Sequence, residues 1–490
     1  MLFHTWTFLL FFAIFYPLYR LLKNTRVEMW LLVAASYVFY GWWNPLYLAL
    51  IIYGTVADYL IVVGMERSPT KTVKKLWLAA SVVSNIGLLA FFKYAGFIAT
   101  NFNGLMSWIR LPVRLPPASE ILPLDKAAQF INERLAAVGM DYALPETGVL
   151  LPVGISFFTF QSMSYIIDCY RGTVERERSL IRYAAYVSLF TQLVAGPIER
   201  ASNLLKQLRQ ERRIAWPDIT DGLSLFVVGF FKKVALGDYL GMYVNKVYAA
   251  PGEFQAPALL LATFAFAWQI YFDFSGYTDM ARGIARMMGI RLMLNFNNPY
   301  LADGLGDFWA RWHISLSTWF KDYVYIPLGG NRGGAFNTYR NMALTMVISG
   351  IWHGAAWTFL IWGVLHAAGR VMTRALEGTA FYQDRVPRFA KQLFVFTFVL
   401  LTWVFFRATS VDDAKLILSR IFTGGLADPA VPMLAMAMVA TLWAYQFCYE
   451  SRVRWMVELS PVRLGIVVAM VLYLATFAAP GTQAFIYFQF

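Results

Sequence analysis

The chain is short of cysteine, of histidine and of charge. Its two cysteines, Cys169 and Cys448, lie far apart, each beside an apolar segment, which supports neither a disulfide framework nor a zinc pattern. Charged residues are 14% of 490, where a soluble domain carries nearer a quarter. Roughly 10-residue alternating strands with polar lumen positions are not seen, which argues against a closed β-barrel. No internal repeat or low-complexity tract stands out. There is no G-x-S-x-G elbow: "GISFF" around Ser156 lacks its second glycine. "GGNRGG" lacks the Lys-Ser/Thr ending and the strand–helix setting of a nucleotide loop. No HxxxH or HExxH pair exists, and nearby carboxylates are few, so no metal site is expected. The first apolar stretch has no basic region ahead of it and no small-residue cleavage site after it, and reads as a retained span.

What the chain has in excess is apolar surface: 59% hydrophobic and 17% aromatic residues. One or two soluble cores cannot hide that much. Lipid can, through helices of roughly 20 apolar residues. Apolar stretches occur near 5–22, 28–43, 46–64, 76–98, 149–168, 183–198, 221–240, 256–275, 341–369, 392–406, 431–449 and 464–479. The reading is an all-α polytopic membrane protein. The polar insertion 101–148, with "RLPVRLPPASEILPLD", is expected as a surface excursion with short interfacial helices.

The net charge of +13 sits in short loops between apolar spans, the pattern that orients membrane proteins, and needs no nucleic-acid partner. Basic groups follow the first span (Arg20, Lys23, Arg26), the third (Arg67, Lys71, Lys74, Lys75) and the fifth (Arg171, Arg176, Arg178, Arg182). This places the N-terminus and 101–148 outside. Beyond residue 183 the alternation fails, because 199–213, 276–340 and 370–391 are all basic. Some apolar segments must then be re-entrant or broken, which is tolerated only inside protein or around a wet cavity. A central cavity built from about 149–370 is therefore expected.

Of the four histidines, His4 is at the N-terminus and reads as incidental. His353 lies halfway along 341–369, where an ionisable group is costly and is by default a functional candidate. A neutral imidazole bonded to a neighbouring helix would serve as well. Gly350 and Gly354 bracket it and allow close approach. On a continuous helix His366 would lie roughly 20 Å away on nearly the opposite face, too far to share a metal. His313 lies in 307–334, which is too polar for a lipid-facing span and too aromatic for a solvent loop, and suits an amphipathic or re-entrant helix. Asp273 and Asp279 are expected at or near the end of an apolar segment, with Asp279 paired to Arg282 three residues on. Lys232 and Lys233 either snorkel or meet an anionic substrate group. A lone buried histidine suits acyl transfer: as a base it takes the proton of a hydroxyl attacking a thioester, and as a nucleophile it forms an acyl-imidazole.

Five motifs occur in order: "LLPVGISFFTFQSMSYIIDCYRG", "LVAGPIER", "YFDFSGYTDMARGIARMMGIRLMLNFNNPY", "FWARWHISLSTWFKDYVYIPLGGNRGG" and "SGIWHGAAWTFLIWG". Together they resemble the membrane-bound O-acyltransferase family. The similarity is strongest to its bacterial branch, which holds the alginate O-acetylation membrane protein and the D-alanyl transfer protein of teichoic acids. "LLVAASYVFYGWWNP" and "FFKYAGF" extend the likeness over about residues 1–370. "GPIER" departs from the alginate proteins after the proline, which leaves the acceptor polymer open.

The resemblance implies a single integral membrane domain of about 11 spanning helices, plus re-entrant or interfacial ones, around a central funnel. Its parts would be N-terminal spans (1–100), an extracytoplasmic insertion (101–148), a catalytic core (149–370) and C-terminal spans (371–490). The family's catalytic histidine carries over to His353 and the second motif histidine to His313. Trp352, Trp312, Arg311 and Asn331 become candidates for a substrate channel. No bound cofactor or metal is implied. The donor would be acetyl-CoA or an acylated carrier. The acetyl group would pass across a bacterial inner membrane to an exported polysaccharide through an extracytoplasmic SGNH-like transferase. A transporter of donor or polymer, or a scaffold for that transferase, is the alternative.

Overall fold

The computed structural model describes residues 1–138, 144, 151–427, 430–477 and 485–486. The end of the 101–148 insertion, the first residues of the 149–168 stretch and the end of 464–479 lie outside the described residues. The described residues are helical and contain no strand. Five helical stretches are long and apolar enough to cross a membrane, and Trp6–Leu22 and Met433–Tyr449 are shorter apolar helices. The chain forms two compact units, Met1–Arg213 and Ile214–Phe490.

The first unit opens with α1 (Trp6–Leu22), α2 (Glu28–Gly41), α3 (Leu48–Arg67) and α4 (Lys71–Leu89). The Thr5 and Thr70 side chains cap α1 and α4 by accepting from the Phe8 and Val73 N–H groups, donors that a helix start leaves orphaned. A π-helical turn, Ala90–Tyr94, carries α4 into α5 (Ala95–Trp108). As expected, short helices punctuate the insertion, Ala118–Ile121 and Leu124–Ala137. Then come α6 (Ile155–Arg171) and α7 (Leu180–Ser188). Helix α3 packs on α4, both pack on α6, and α2 packs on α7. Gly154 starts α6 at φ 77°, where an added Cβ would run into the Leu193 carbonyl.

Polar residues tie this unit together. The buried Asp58 carboxylate on α3 accepts from Ser81 (2.9 Å) and Asn85 (3.0 and 3.1 Å) on α4. Arg212 pairs with Glu28 where both are nearly solvent-free. Glu177 accepts from Arg182 at 2.9 Å and Arg209 at 2.7 Å.

The second unit holds α8 (Trp216–Phe231), a π-helical turn Lys232–Gly237, α9 (Asp238–Ala249) and α10 (Ala256–Met287). Helices α8 and α10 cross through reciprocal glycines. A Cβ on Gly222 would sit 2.7 Å from the Gly283 carbonyl oxygen, and one on Gly276 would sit 2.7 Å from that of Gly229. Small residues at such crossings let backbones touch, which substitutes for the hydrophobic drive that lipid removes. Asp273 and Asp279 lie in the interior of α10, not at the end of a span, because the apolar pattern continues on its packed faces to Met287. The lysines neither snorkel nor await a substrate: Lys232 pairs with Asp279 at 2.7 Å, and Lys233 with Asp238 at 2.7 Å and Asp273 at 2.6 Å. Arg282 joins Asp279 at 3.3 Å, the pair that their spacing predicts.

The unit continues with α11 (Leu305–Arg311), α12 (Ile314–Phe320), α13 (Gly334–His353), α14 (Trp357–Glu377), α15 (Arg388–Arg407), α16 (Val411–Thr423), α17 (Met433–Tyr449) and α18 (Ser460–Phe477). The stretch 307–334 is thus two short helices and a π-helical turn, not one amphipathic helix. The apolar stretch 341–369 is likewise two helices, because α13 ends at His353 and Gly354 is extended. The chain then turns back, and α14 packs along α13.

Candidate functional site

His353 is the last residue of α13, at the bend of this helical hairpin. The two helices meet on glycine: a Cβ on Gly350 would lie 2.5 Å from the Phe359 carbonyl oxygen and 2.9 Å from the Gly363 Cα. A Cβ on Gly354 would strike the Phe359 ring. The glycines that bracket His353 therefore serve backbone contact and the bend, which the sequence alone left as room for any close partner. The buried imidazole sits among Trp352, Trp362 and Phe406, with ring centroids 4.9, 5.1 and 5.1 Å away.

The break corrects the relation between His353 and His366. They do not lie roughly 20 Å apart on one continuous helix, because the chain bends between them. Both rings contact Trp362, which is 5.1 Å from His353 and 4.6 Å from His366. Among the described residues no group of three His, Cys, Asp or Glu could hold a metal.

His313 bridges α11 and α12 in the left-handed region, φ 44°, a conformation that costs a non-glycine residue and persists only when its surroundings enforce it. They do so here. The His313 carbonyl accepts from the N–H groups of Leu316 and Ser317, and Asn295 takes those of Ile314 and Ser315 on its backbone and side-chain oxygens. The fully buried His313 ring packs on Phe274 at 4.6 Å and faces Trp352 at 6.2 Å. Trp352 therefore touches both motif histidines.

The other candidates separate. Trp312 is buried against Phe296 (5.0 Å) and Trp403 (5.2 Å) as part of the packing. Arg311 is engaged by Asp307 at 2.8 Å and Glu450 at 2.6 Å. Asn331 is exposed, accepts from the Tyr325 hydroxyl and borders a cavity of about 310 Å³.

That cavity contains a signal that the sequence reading missed. Its walls include Trp309, Ser317, Phe320 and, from α13, Met342, Thr345, Met346 and Ser349. Lys321, Arg370 and Arg374 supply positive charge. The α13 positions recur at intervals of three and four, one helix face, and the next in that series is His353, one turn beyond Ser349. This stripe was readable once α13 was known to end at His353.

The profile of the membrane-bound O-acyltransferase family matches residues 158–411, which include His313 and His353. The chain is 38% identical to a probable alginate O-acetylase AlgI of Azotobacter vinelandii, over 88% of this chain and 81% of that protein. It is 34% identical to a peptidoglycan O-acetyltransferase of Helicobacter pylori, over 81% of this chain and 74% of that one. The chain belongs to the membrane-bound O-acyltransferase family. A teichoic acid D-alanyltransferase of Bacillus subtilis is 29% identical over 46% of this chain and 59% of its own length.

This membrane-bound O-acyltransferase is thus a multi-pass membrane enzyme. Acyl transfer to a hydroxyl needs a base or nucleophile, room for a donor, and exclusion of water. The second unit offers a buried imidazole at the bend among aromatic rings, and a cavity with basic residues in its wall whose α13 lining ends at Ser349, one turn before His353.

Proposed function

We propose that this enzyme transfers acetyl groups from a thioester donor, acetyl-CoA or an acylated carrier, for O-acetylation of an exported, alginate-like polysaccharide. The observation that carries the reading is the cavity of about 310 Å³ whose α13 stripe leads to His353. Lys321 and Arg374 suit the phosphates of such a donor beside Arg370, which Glu377 holds at 3.1 Å, and Ser349 and Thr345 line the cavity. His353 acts in one of two ways. As a base, it takes the proton of the incoming hydroxyl while the oxygen attacks the thioester carbonyl and the thiolate leaves. As a nucleophile, its nitrogen attacks that carbonyl, expels the thiolate and hands the acetyl group on. His313 and Trp352 shape the far side of the imidazole.

The alginate-like acceptor rests on relatives named for alginate and peptidoglycan O-acetylation. The enzyme would work in a bacterial inner membrane with an extracytoplasmic SGNH-like transferase that completes delivery. Arg311, held by two carboxylates, serves as a brace and not as a free substrate ligand. The test is His353→Ala. The variant should insert and accumulate like the parent protein while the polymer loses its acetyl esters. Normal acetylation would remove His353 from the chemistry and leave a transport or scaffold role.

A further inference from the structure

The third histidine of the second unit has a set hydrogen-bonding state. His366 Nε2 lies 3.0 Å from the Thr402 hydroxyl. That hydroxyl already gives its one hydrogen to the Val399 carbonyl at 2.8 Å. It can only accept from His366, so Nε2 carries the ring hydrogen and Nδ1 presents a bare lone pair. Nδ1 is buried and has no partner among the described residues. The same holds for two indole N–H groups, Trp309 Nε1 and Trp362 Nε1. The three rings adjoin: Trp362 is 4.6 Å from His366, Trp309 is 5.1 Å from His366, and the tryptophans are 5.7 Å apart. Buried polar groups are nearly always satisfied, so three orphans on touching rings point to a missing ligand.

The set is two donors and one acceptor. A carbonyl or an anion would leave Nδ1 unsatisfied, and a cation would meet two N–H groups. One group matches all three: a hydroxyl, whose oxygen accepts from the indoles while its hydrogen goes to Nδ1. We infer that Trp309, Trp362 and His366 form a receptor for a single O–H group, either water or a hydroxyl of the acyl acceptor. Trp309 is the partition, since its ring both lines the cavity and touches His366. Trp362 also touches His353, so a single indole links a hydroxyl held here to the imidazole. The acceptor form of the inference rests on the reading of His353 given above.

The test uses the full-length purified protein with acetyl-CoA as donor, with and without alginate oligosaccharide as hydroxyl acceptor. Trp309→Phe and Trp362→Phe keep a six-membered aromatic ring and remove the N–H together with the rest of the pyrrole ring. If the receptor holds the acceptor, each raises the acceptor KM on the order of tenfold, over and above any change in acceptor-free hydrolysis. If it holds water, each lowers acceptor-free hydrolysis by a similar factor. An acceptor KM and an acceptor-free hydrolysis rate both within twofold of the parent in both variants would overturn the receptor. His353→Ala is run alongside: its inactivity beside intact tryptophan variants overturns the receptor alone, and its full activity beside impaired ones overturns the His353 reading alone. A structure of the unmodified protein that resolves water gives an answer independent of folding in the variants. Oxygen density within hydrogen-bond reach of all three nitrogens supports the receptor, and its absence refutes it.

Discussion

Gly350→Ala tests whether the helical hairpin sets the geometry at His353. A methyl group at residue 350 would lie 2.5 Å from the Phe359 carbonyl oxygen and 2.9 Å from the Gly363 Cα. Both are backbone atoms, so no side chain can rotate away. An ordinary contact begins at 3.4 Å, and α13 and α14 must therefore part by about 0.9 Å at this point. Overpacking of this kind costs about 1–3 kcal/mol. The larger consequence is catalytic, because His353 lies three residues from the wedge on α13 while Trp362 rides on α14. A displacement near 1 Å between reacting groups lowers rate by on the order of a hundredfold. The expected result is acetyl transfer reduced about 100-fold with a modest fall in Tm. Gly54→Ala in α3 is the control, since a Cβ there meets nothing within 4 Å. Helix propensity makes it neutral or stabilising by about 0.5–1 kcal/mol. Transfer assays and melting curves on both variants check the argument. Parental activity in Gly350→Ala would refute the claim that this crossing sets the site.

Two further substitutions probe the ionic ties. Burial pushes the Glu177 carboxyl up, but the Ser179 N–H, Arg209 and Arg182 outweigh it and hold the group below the usual carboxylate range. A depressed carboxylate stabilises above its unfolded value, near pH 4.3, and loses that contribution as pH falls through its folded value. Glu177→Gln should therefore cost about 2 kcal/mol at pH 7, moderated because each guanidinium keeps about a third of its surface exposed. The Tm gap to the parent should close below about pH 4, and a pH-independent gap would show that shape, not charge, matters. Lys233→Met strands two buried carboxylates, Asp238 and Asp273, and should destabilise by about 3–5 kcal/mol, seen as loss of a monodisperse peak after extraction. Adding Asp238→Asn and Asp273→Asn should recover much of that loss, and an unchanged melt in the single variant would contradict the pairing.

Some of the site was legible residue by residue. His353 drew attention because an ionisable group in so apolar a stretch is costly, and the Asp279–Arg282 pair followed from helical spacing. The loop charges of 276–340 already argued against plain crossings, and that stretch holds α11, α12 and the strained His313. The partners of Lys232 and Lys233 were not legible. Both choices weighed for them came from looking along one helix, whereas Asp279 and Asp273 arrive from α10. The His366 site was hidden in part for the same reason: Trp362 stands four residues before it on α14, but Thr402 comes from α15 and Trp309 from α11.

The sequence by itself determined the solvent and the class. An excess of apolar residues in long runs, with no alternating strands for a barrel, has one stable solution, helices in lipid, which satisfy every backbone group internally. Ordered motifs then sufficed for the family. Tertiary structure decided where the 341–369 stretch breaks, and with it the site. Hydropathy is averaged over a window and cannot register a single extended glycine, so "SGIWHGAAW" reads as one continuous span. Packing registers it at once: the glycine faces of α13 and α14 can meet only if the chain bends at Gly354, and that bend puts Trp362 between two histidines that the linear sequence held apart.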